Sequence, residues 1–376
     1  MNGNRKGQMK PLREAAVAGV LRTPFLKPGT SFSGVPEAEI IRLVTGELLF
    51  SSMIEPSIID TVVLASSFPS ERSVHRDVHS SCMALGFDRH FRIFSLYSGD
   101  SSDLTAIVET AMRISTGESE AAIVVGVGVG KNVFGQELPH VSNFPSLEVV
   151  ERYPSTLEER ESYVKNSIEK AREASEEGNR SGMKLMALPP LFEEVIDRDD
   201  LVETDEPGDN ELPRVMMCDF YAPQREGVGA LLLTTADKVK AKGKDEVFVL
   251  SQFKHLGVPA HLRGAGAAVA LEALLKERQL PIDHLDELEI METTSAQVLS
   301  SLKALQSTSP LGDGTEKEFS VNSSGGSLAC GSVPSCSGIR MLAGLTERLG
   351  KNNGRLGALA CEGSGNEALA LLVERS

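Results

Sequence analysis

SDLTAIVETAMRISTGESEAAIVVGVGVG, residues 102–130, reads as a helix over 102–115, a glycine-containing turn and a buried strand over 121–129. Residues 337–365, SGIRMLAGLTERLGKNNGRLGALACEGSG, keep that order: a serine start, a helix to about Leu349, a turn, an apolar strand, closing glycines. GALLLTTA (229–236) is echoed in the same way by EALALLVE (367–374) near the chain end. Repetition on this scale predicts two similar α/β halves.

The surrounding sequence fits. AAVAGVL (15–21), IDTVVLAS (59–66) and FRIFSLY (91–97) read as strands, with helices over 36–54 and 74–85. In the second half, EVFVLSQF (246–253) and LDELEIMET (285–293) are strand-like, and GAGAAVALEALLKER (264–278) is a helix. GRLGALACEGSGNEALALLVER (354–375) reads as two strands joined by a tight glycine-rich hairpin. Strand–helix alternation predicts a layered α/β fold. Residues 131–215 differ: they are polar, proline-punctuated and rich in Glu, Lys and Arg. They read as an insertion, with a capping box at Thr156–Glu159 opening a helix to about Ser175. The expected division is an N-terminal half over 14–130, completed by 216–243, an inserted loop domain over 131–215, and a C-terminal half over 244–376.

Of the 376 residues, 41% are hydrophobic and 24% charged, enough for a large core. The net charge of -15 argues against nucleic-acid or anionic-membrane binding, yet leaves room for an anionic ligand on a local basic patch. Five scattered cysteines predict reduced thiols in the cytoplasm or an organellar matrix, and no paired motif supports a metal site. His75 and His79 share one helix face, a pair read as a solvated or half-buried face. No apolar run approaches a membrane span. The basic lead-in over 1–13 lacks the apolar stretch of a secretory signal.

GVLRTPFLKPGTSFSGVPEAEI (19–40), TGESEAAIVVG (116–126), YPSTLEERESYVKNS (153–167) and GVGALLLTTADKVKAKG (227–243) resemble successive segments of the thiolase superfamily. So does VNSSGGSLACGSVPSCSGIR (321–340), which keeps Asn322, Gly325, Gly326, Ala329, Gly331, Ser337, Gly338 and Arg340 of that family's glycine-rich segment. GALACEGSGNEALALLVER resembles its C-terminal Cys-x-Gly segment. The resemblance spans nearly the whole chain. It implies a duplicated α/β/α/β/α fold with an inserted loop domain, and a site for a coenzyme A thioester with no other cofactor. It also implies a homodimer, or a heteromer with an active subunit of the same type.

Set against that pattern, the chemistry departs. The family's nucleophilic cysteine falls at Asp100, counting back from Gly117; a one-turn shift offers Leu96. Its histidine falls at Ser332 and its asparagine at Met291, where Glu292 agrees. Cys361 keeps the late cysteine position. A covalent acyl-enzyme needs a nucleophile, and each lost oxyanion donor costs about 2.7–4 kcal/mol in the barrier. Ordinary thiolase turnover is therefore expected to be very low or absent. Backbone amides of Asp100 and Gly363 remain as a candidate oxyanion hole. Asp100 reads either as a helix cap or as a carboxylate nucleophile, Ser332 as a space-filler or a nucleophile lacking a base. Cys361 reads as a buried hydrophobe or as an acid/base near an acyl α-carbon. Gly325, Gly326 and Gly331 are expected to let the backbone approach a pantetheine-like arm. The alternative function is a divergent acyl-CoA enzyme, a decarboxylase, hydrolase or CoA-transferase.

Overall fold

The computed structural model describes residues 12–66, 72–88, 90–129, 144–184, 186–187, 195–202, 214–215, 219–244, 246–308, 321–333, 335–363 and 365–376. The first half runs β1 (Ala15–Arg22), α1 (Glu37–Ser52), β2 (Thr61–Ser66), α2 (Arg72–Ala84), β3 (Arg92–Tyr97), α3 (Ser102–Thr116) and β4 (Ala121–Gly128). The insertion contributes α4 (Leu157–Glu176), after which β5 (Gly227–Thr235) returns to the sheet. The second half runs β6 (Phe248–Gly257), α5 (Gly266–Arg278), β7 (Glu287–Ile290), α6 (Ser295–Thr308), α7 (Ser337–Lys351), β8 (Leu356–Gly363) and β9 (Glu367–Arg375).

These strands form one sheet in the order β7-β8-β9-β6-β1-β5-β4-β2-β3. The duplication is visible in the pairing. In the first half, β2 runs parallel to β3 and β4, while β5 runs antiparallel to both β4 and β1. In the second, β7 runs parallel to β8, with Val321 bridging Leu288 on its other side, and β9 runs antiparallel to β8 and β6. The halves join where β1 pairs briefly with β6, at Ala16 opposite Val249 and Val17 opposite Phe248. The echoed segments take equal lengths: α3 and α7 have 15 residues each, β4 and β8 have 8 each.

Burial explains the layering. β4 and β5 are buried along both faces, as strands covered on two sides must be. One core unites α1 and α2 with one face of the first sheet half, through Ile40, Leu48, Val78 and Ile123. A second unites α5 and α6 with the second half, through Leu271, Val298 and Leu372. Between them a central core packs α3 and α7 together, through Leu104, Ile107, Ile339 and Leu342. The capping box is present: Thr156 Oγ1 accepts from Glu159 N at 3.1 Å, and Glu159 Oε2 accepts from Thr156 N at 2.7 Å. Two differences stand out. Strand β5 stops at Thr235, one residue short of the 229–236 reading, and Ala236–Lys240 turns helical. Helix α6 has no counterpart in the sequence reading, because its polar, serine-rich stretch carries little apolar periodicity.

Candidate functional site

The site grows from the turn between β3 and α3. Gly99–Ser101 forms one 3-10 turn containing Asp100, and Ser101, one residue later, takes the N-cap position of α3. Ser102 Oγ accepts from Ser98 N at 2.8 Å and sits 2.7 Å from the Ser66 carbonyl, pinning the turn to the end of β2. The second half holds the same turn through one carboxylate. Glu367 Oε1 accepts from the Ser98 hydroxyl and, at 2.7 Å, from the Ser101 hydroxyl. Its Oε2 meets His255 Nε2 at 3.2 Å. The His255 hydrogen bond first, with those from Ser98 and Ser101, holds the Glu367 carboxyl down to about 2. His255 is correspondingly raised, chiefly by Glu367.

Gly363 completes this contact. A Cβ there would stand 2.7 Å from Ser101 Oγ and 2.9 Å from Glu367 Oε1, so only glycine lets the turn seat against the end of β8. The structure thus brings together the Asp100 turn and Gly363, residues from opposite halves. No short-range signal announces Glu367 or His255. Their contacts with Ser98 and with each other cross the sequence, and only folding creates them.

Beneath the turn lies Asp103, fully buried in the first turn of α3. Its Oδ2 accepts from Gly338 N at 2.6 Å and Ile339 N at 3.1 Å, the opening amides of α7. An anion at a helix start satisfies donors that have no partner within the helix. Burial pushes the Asp103 carboxyl up to about 6, against the hydrogen bonds from the Ile339, Leu104, Gly338 and Asp103 backbone. Its charge also reaches Cys336 and Cys361.

Cys361 lies on β8, wholly buried in the central core with Met291. Its neighbour Glu362 serves the other face, accepting from Gly264 N at 2.9 Å and Gly266 N at 2.7 Å. Burial first, then the Asp103 charge, raises the Cys361 thiol. The same desolvation raises Cys82 to about 12, Cys330 to about 11, and Cys336 as well. All four are free and buried; Cys218 lies outside the described residues. A buried, protonated thiol is a poor nucleophile.

Ser332 sits elsewhere along the loop. Its N donates to Pro223 O at 2.8 Å and its carbonyl accepts from Arg225 N at 2.9 Å. The glycines around it make close approaches to the chain itself. A Cβ on Gly325 would meet Ala171 at 2.6 Å, on Gly326 the Glu292 carboxylate at 2.0 Å, and on Gly331 the Arg225 side chain at 2.3 Å. Glu292 is the hub here, accepting from Asn322 Nδ2 at 2.7 Å, Leu328 N at 2.9 Å and Tyr163 Oη at 2.9 Å. Further on, the loop lies on the first half: Ser335 O would be 1.7 Å from a Cβ on Gly126.

One cavity, of about 1260 Å³, opens between β1, α1 and residues 178–187. A second, of about 420 Å³, lies beside α4. Neither reaches Asp100, Ser332, Cys361 or Gly363, so size does not point to the site that the two helix starts define. Among the described residues no group of three or more His, Cys, Asp or Glu is placed to hold a metal. His79 stacks on Phe91 with ring centroids 5.3 Å apart. No helix among the described residues is long and apolar enough to cross a membrane.

Two α/β halves, related in topology, each send a helix into a shared central layer, and their N-termini meet across one buried carboxylate. The layered α/β arrangement around one large sheet is shared with solved thiolase structures. Residues 245–375 match the thiolase C-terminal domain family. The chain is 24% identical to a 3-ketoacyl-CoA thiolase of Pectobacterium atrosepticum, over 96% of each chain. It is also 24% identical to the peroxisomal 3-ketoacyl-CoA thiolase of Yarrowia lipolytica, over 96% of this chain and 93% of that one. Its fold matches the Bacillus anthracis acetyl-CoA acetyltransferase with a TM-score of 0.79 at 21% identity, over 97% of this chain and all of the other. It matches human mitochondrial 3-ketoacyl-CoA thiolase in complex with CoA equally well, with a TM-score of 0.79 at 18% identity, over 98% of this chain. The chain thus has the fold of these enzymes and is similar in sequence to thiolases along nearly its whole length, with the family match falling on residues 245–375.

Proposed function

We propose that this chain holds coenzyme A thioesters on a thiolase scaffold without the covalent chemistry of its named relatives. The observation that carries this reading is the start of α3. The turn there presents Asp100 rather than a thiol, and every described cysteine is buried with its thiol raised. Relatives named as thiolases support the ligand class, and one matched structure is a complex with CoA. The backbone at Asp100 and Gly363 supplies the candidate contacts to a thioester carbonyl. The assembly proposed is a homodimer, or a heteromer with a competent subunit.

Calorimetric titration with CoA and acetoacetyl-CoA should give binding heat for at least one, while acetoacetyl-CoA and free CoA mixed with the protein yield no acetyl-CoA. Heat from neither ligand discards the binding half; brisk carbon–carbon cleavage discards the other.

A second reading, a divergent acyl-CoA enzyme, is favoured by one placement: Cys361 lies on β8 two residues before Gly363, which packs against Ser101 of the Asp100 turn. It predicts CoA release from some acyl-CoA that falls at least tenfold in Asp100→Ala or Cys361→Ala; release unchanged in both variants removes those residues from the reaction.

A further inference from the structure

We propose that His255, oriented by Glu367, is a general base for water, so that a thioester held at the Asp100 turn is hydrolysed directly, with no acyl-enzyme. This rests on the reading that the chain holds coenzyme A thioesters, and names the reaction they undergo. The resembled pattern's histidine position is taken by Ser332. Folding brings a different histidine to the site. His255 lies on β6 opposite Leu369 of β9, which in turn lies opposite Cys361 of β8. Residues directly opposed on neighbouring strands share one sheet face. Cys361 and Leu369 both belong to the central core, so the His255 ring stands on the face that α3 covers. Phe253, two residues back along β6, packs on the same core.

Glu367 ties that ring to the turn. It opens β9, paired with Gly363 on one side and Gly257 on the other. Its Oε1 takes the hydroxyls of Ser98 and Ser101, and its Oε2 takes His255 Nε2 at 3.2 Å. An ionised carboxylate only accepts, so Nε2 carries a proton and Nδ1 holds the lone pair of the neutral ring. Among the described residues Nδ1 makes no hydrogen bond, and the side chain is 31% exposed, so water reaches it. A ring held by a carboxylate at one nitrogen and open at the other is built to take a proton. Glu367 also makes the ring more basic, against burial, with Glu109 of α3 adding to the effect. In the reaction, the water oxygen bonds to the thioester carbonyl carbon while its proton passes to Nδ1. The carbonyl oxygen takes up negative charge against the candidate amides of Asp100 and Gly363. Collapse breaks the C–S bond, and the CoA thiolate recovers the proton from the ring. The products are a carboxylic acid and CoA. No thiol takes part, in keeping with cysteines that are buried.

Free thiol released from acetyl-CoA, acetoacetyl-CoA and octanoyl-CoA is measured on the full chain without added CoA, with the heat of CoA binding measured in parallel. At least one thioester should release CoA. His255→Asn, at an exposed position, should lower kcat about 100-fold and leave KM and the binding heat unchanged. Glu367→Gln keeps an acceptor for the two serines and removes the charge. It should lower kcat at least tenfold and move the acid limb of the pH profile to lower pH, because the ring loses the anion that holds its proton. The charged groups facing the ring are Glu367 of β9 and Glu109 of α3, and only the first changes. Release that ignores His255→Asn, or an acid limb unmoved in Glu367→Gln, overturns the proposal. Loss of binding heat in His255→Asn also overturns it, because the ring would then hold ligand. Binding heat with no release from any of the three thioesters overturns it and leaves the thioester-holding reading standing. Heat from neither CoA nor acetoacetyl-CoA removes that reading, and this proposal with it.

Discussion

Asp103 is the residue on which the two halves meet, and its protonation reports on that junction. Both Gly338 N and Ile339 N depend on its Oδ2, while Leu104 N uses Oδ1 at 2.8 Å. Its folded pKa, about 6, lies above the unfolded value of 3.8 because burial outweighs the hydrogen bonds. Between those values the folded state binds the extra proton. The contribution is therefore fully present below pH 4 and is lost as pH rises through 6, on the order of 3 kcal/mol in all. Asp103→Asn keeps an acceptor and cannot ionise. Urea denaturation from pH 4 to 7 should show wild-type stability falling relative to Asp103→Asn by roughly that amount; parallel curves would refute the assignment. Asp103→Ala leaves two buried amides unpaired and should cost about 2–4 kcal/mol at either pH. Glu367 has the opposite sign. Its depressed pKa gives stability present above the unfolded value of 4.5 and lost as pH falls toward 2.

At the scale of elements, the glycine-rich loop is held by what it lies against. Ser335 O occupies the space of a Gly126 Cβ, and Cys336 Sγ would be 2.5 Å from one on Gly229. Small residues crowd this loop because it crosses β4 and β5 at backbone distance. Gly126→Ala should destabilise by about 3 kcal/mol or more, since the clash is with backbone that cannot rotate away. Gly365, in the hairpin between β8 and β9, has nothing within 4 Å, and Gly365→Ala should fall within about 0.5 kcal/mol of wild type. Midpoints in urea compare the two; equal shifts would show that the loop is not packed as described. The same elements show what the sequence could and could not disclose. Helices α3 and α7 and strands β4 and β8 were legible because periodicity and order repeat locally. The Asp100 turn was legible only as a position. Its partners Glu367 and His255 were not, because an ion pair between distant segments leaves no local pattern, whereas Glu292, the hub that fixes Gly326, was legible as a position that agrees with the resembled family.

Among the described residues, the sheet ends at β3 with no further strand beside it. In the sheet order, β3 pairs only with β2, whereas at the opposite end β7 is bridged by Val321. Along β3 the exposures alternate, with Arg92, Ser95 and Tyr97 open to solvent and Ile93, Phe94 and Leu96 half-covered. Tyr97 is 58% exposed at the very residue that leads into the Asp100 turn. An open strand edge bearing such side chains invites pairing, and proteins that stay monomeric usually blunt it with charge or a bulge. Only Arg92 does so here. Its guanidinium is turned to Glu118, at 2.9 Å, and not along the strand. A second copy, meeting β3 about a two-fold axis, would extend the sheet and cover the turn that carries Asp100. Light scattering after gel filtration should therefore give twice the mass of one chain. Ser95→Lys with Tyr97→Lys places like charges opposite each other across that axis without touching the core, and should raise the dimer dissociation constant at least tenfold. Both positions are exposed in the single chain, so the thermal midpoint of the dissociated protein should change little. A monomeric wild type at tens of micromolar, or a dimer that ignores both lysines, would show that this edge is covered by something other than its own copy.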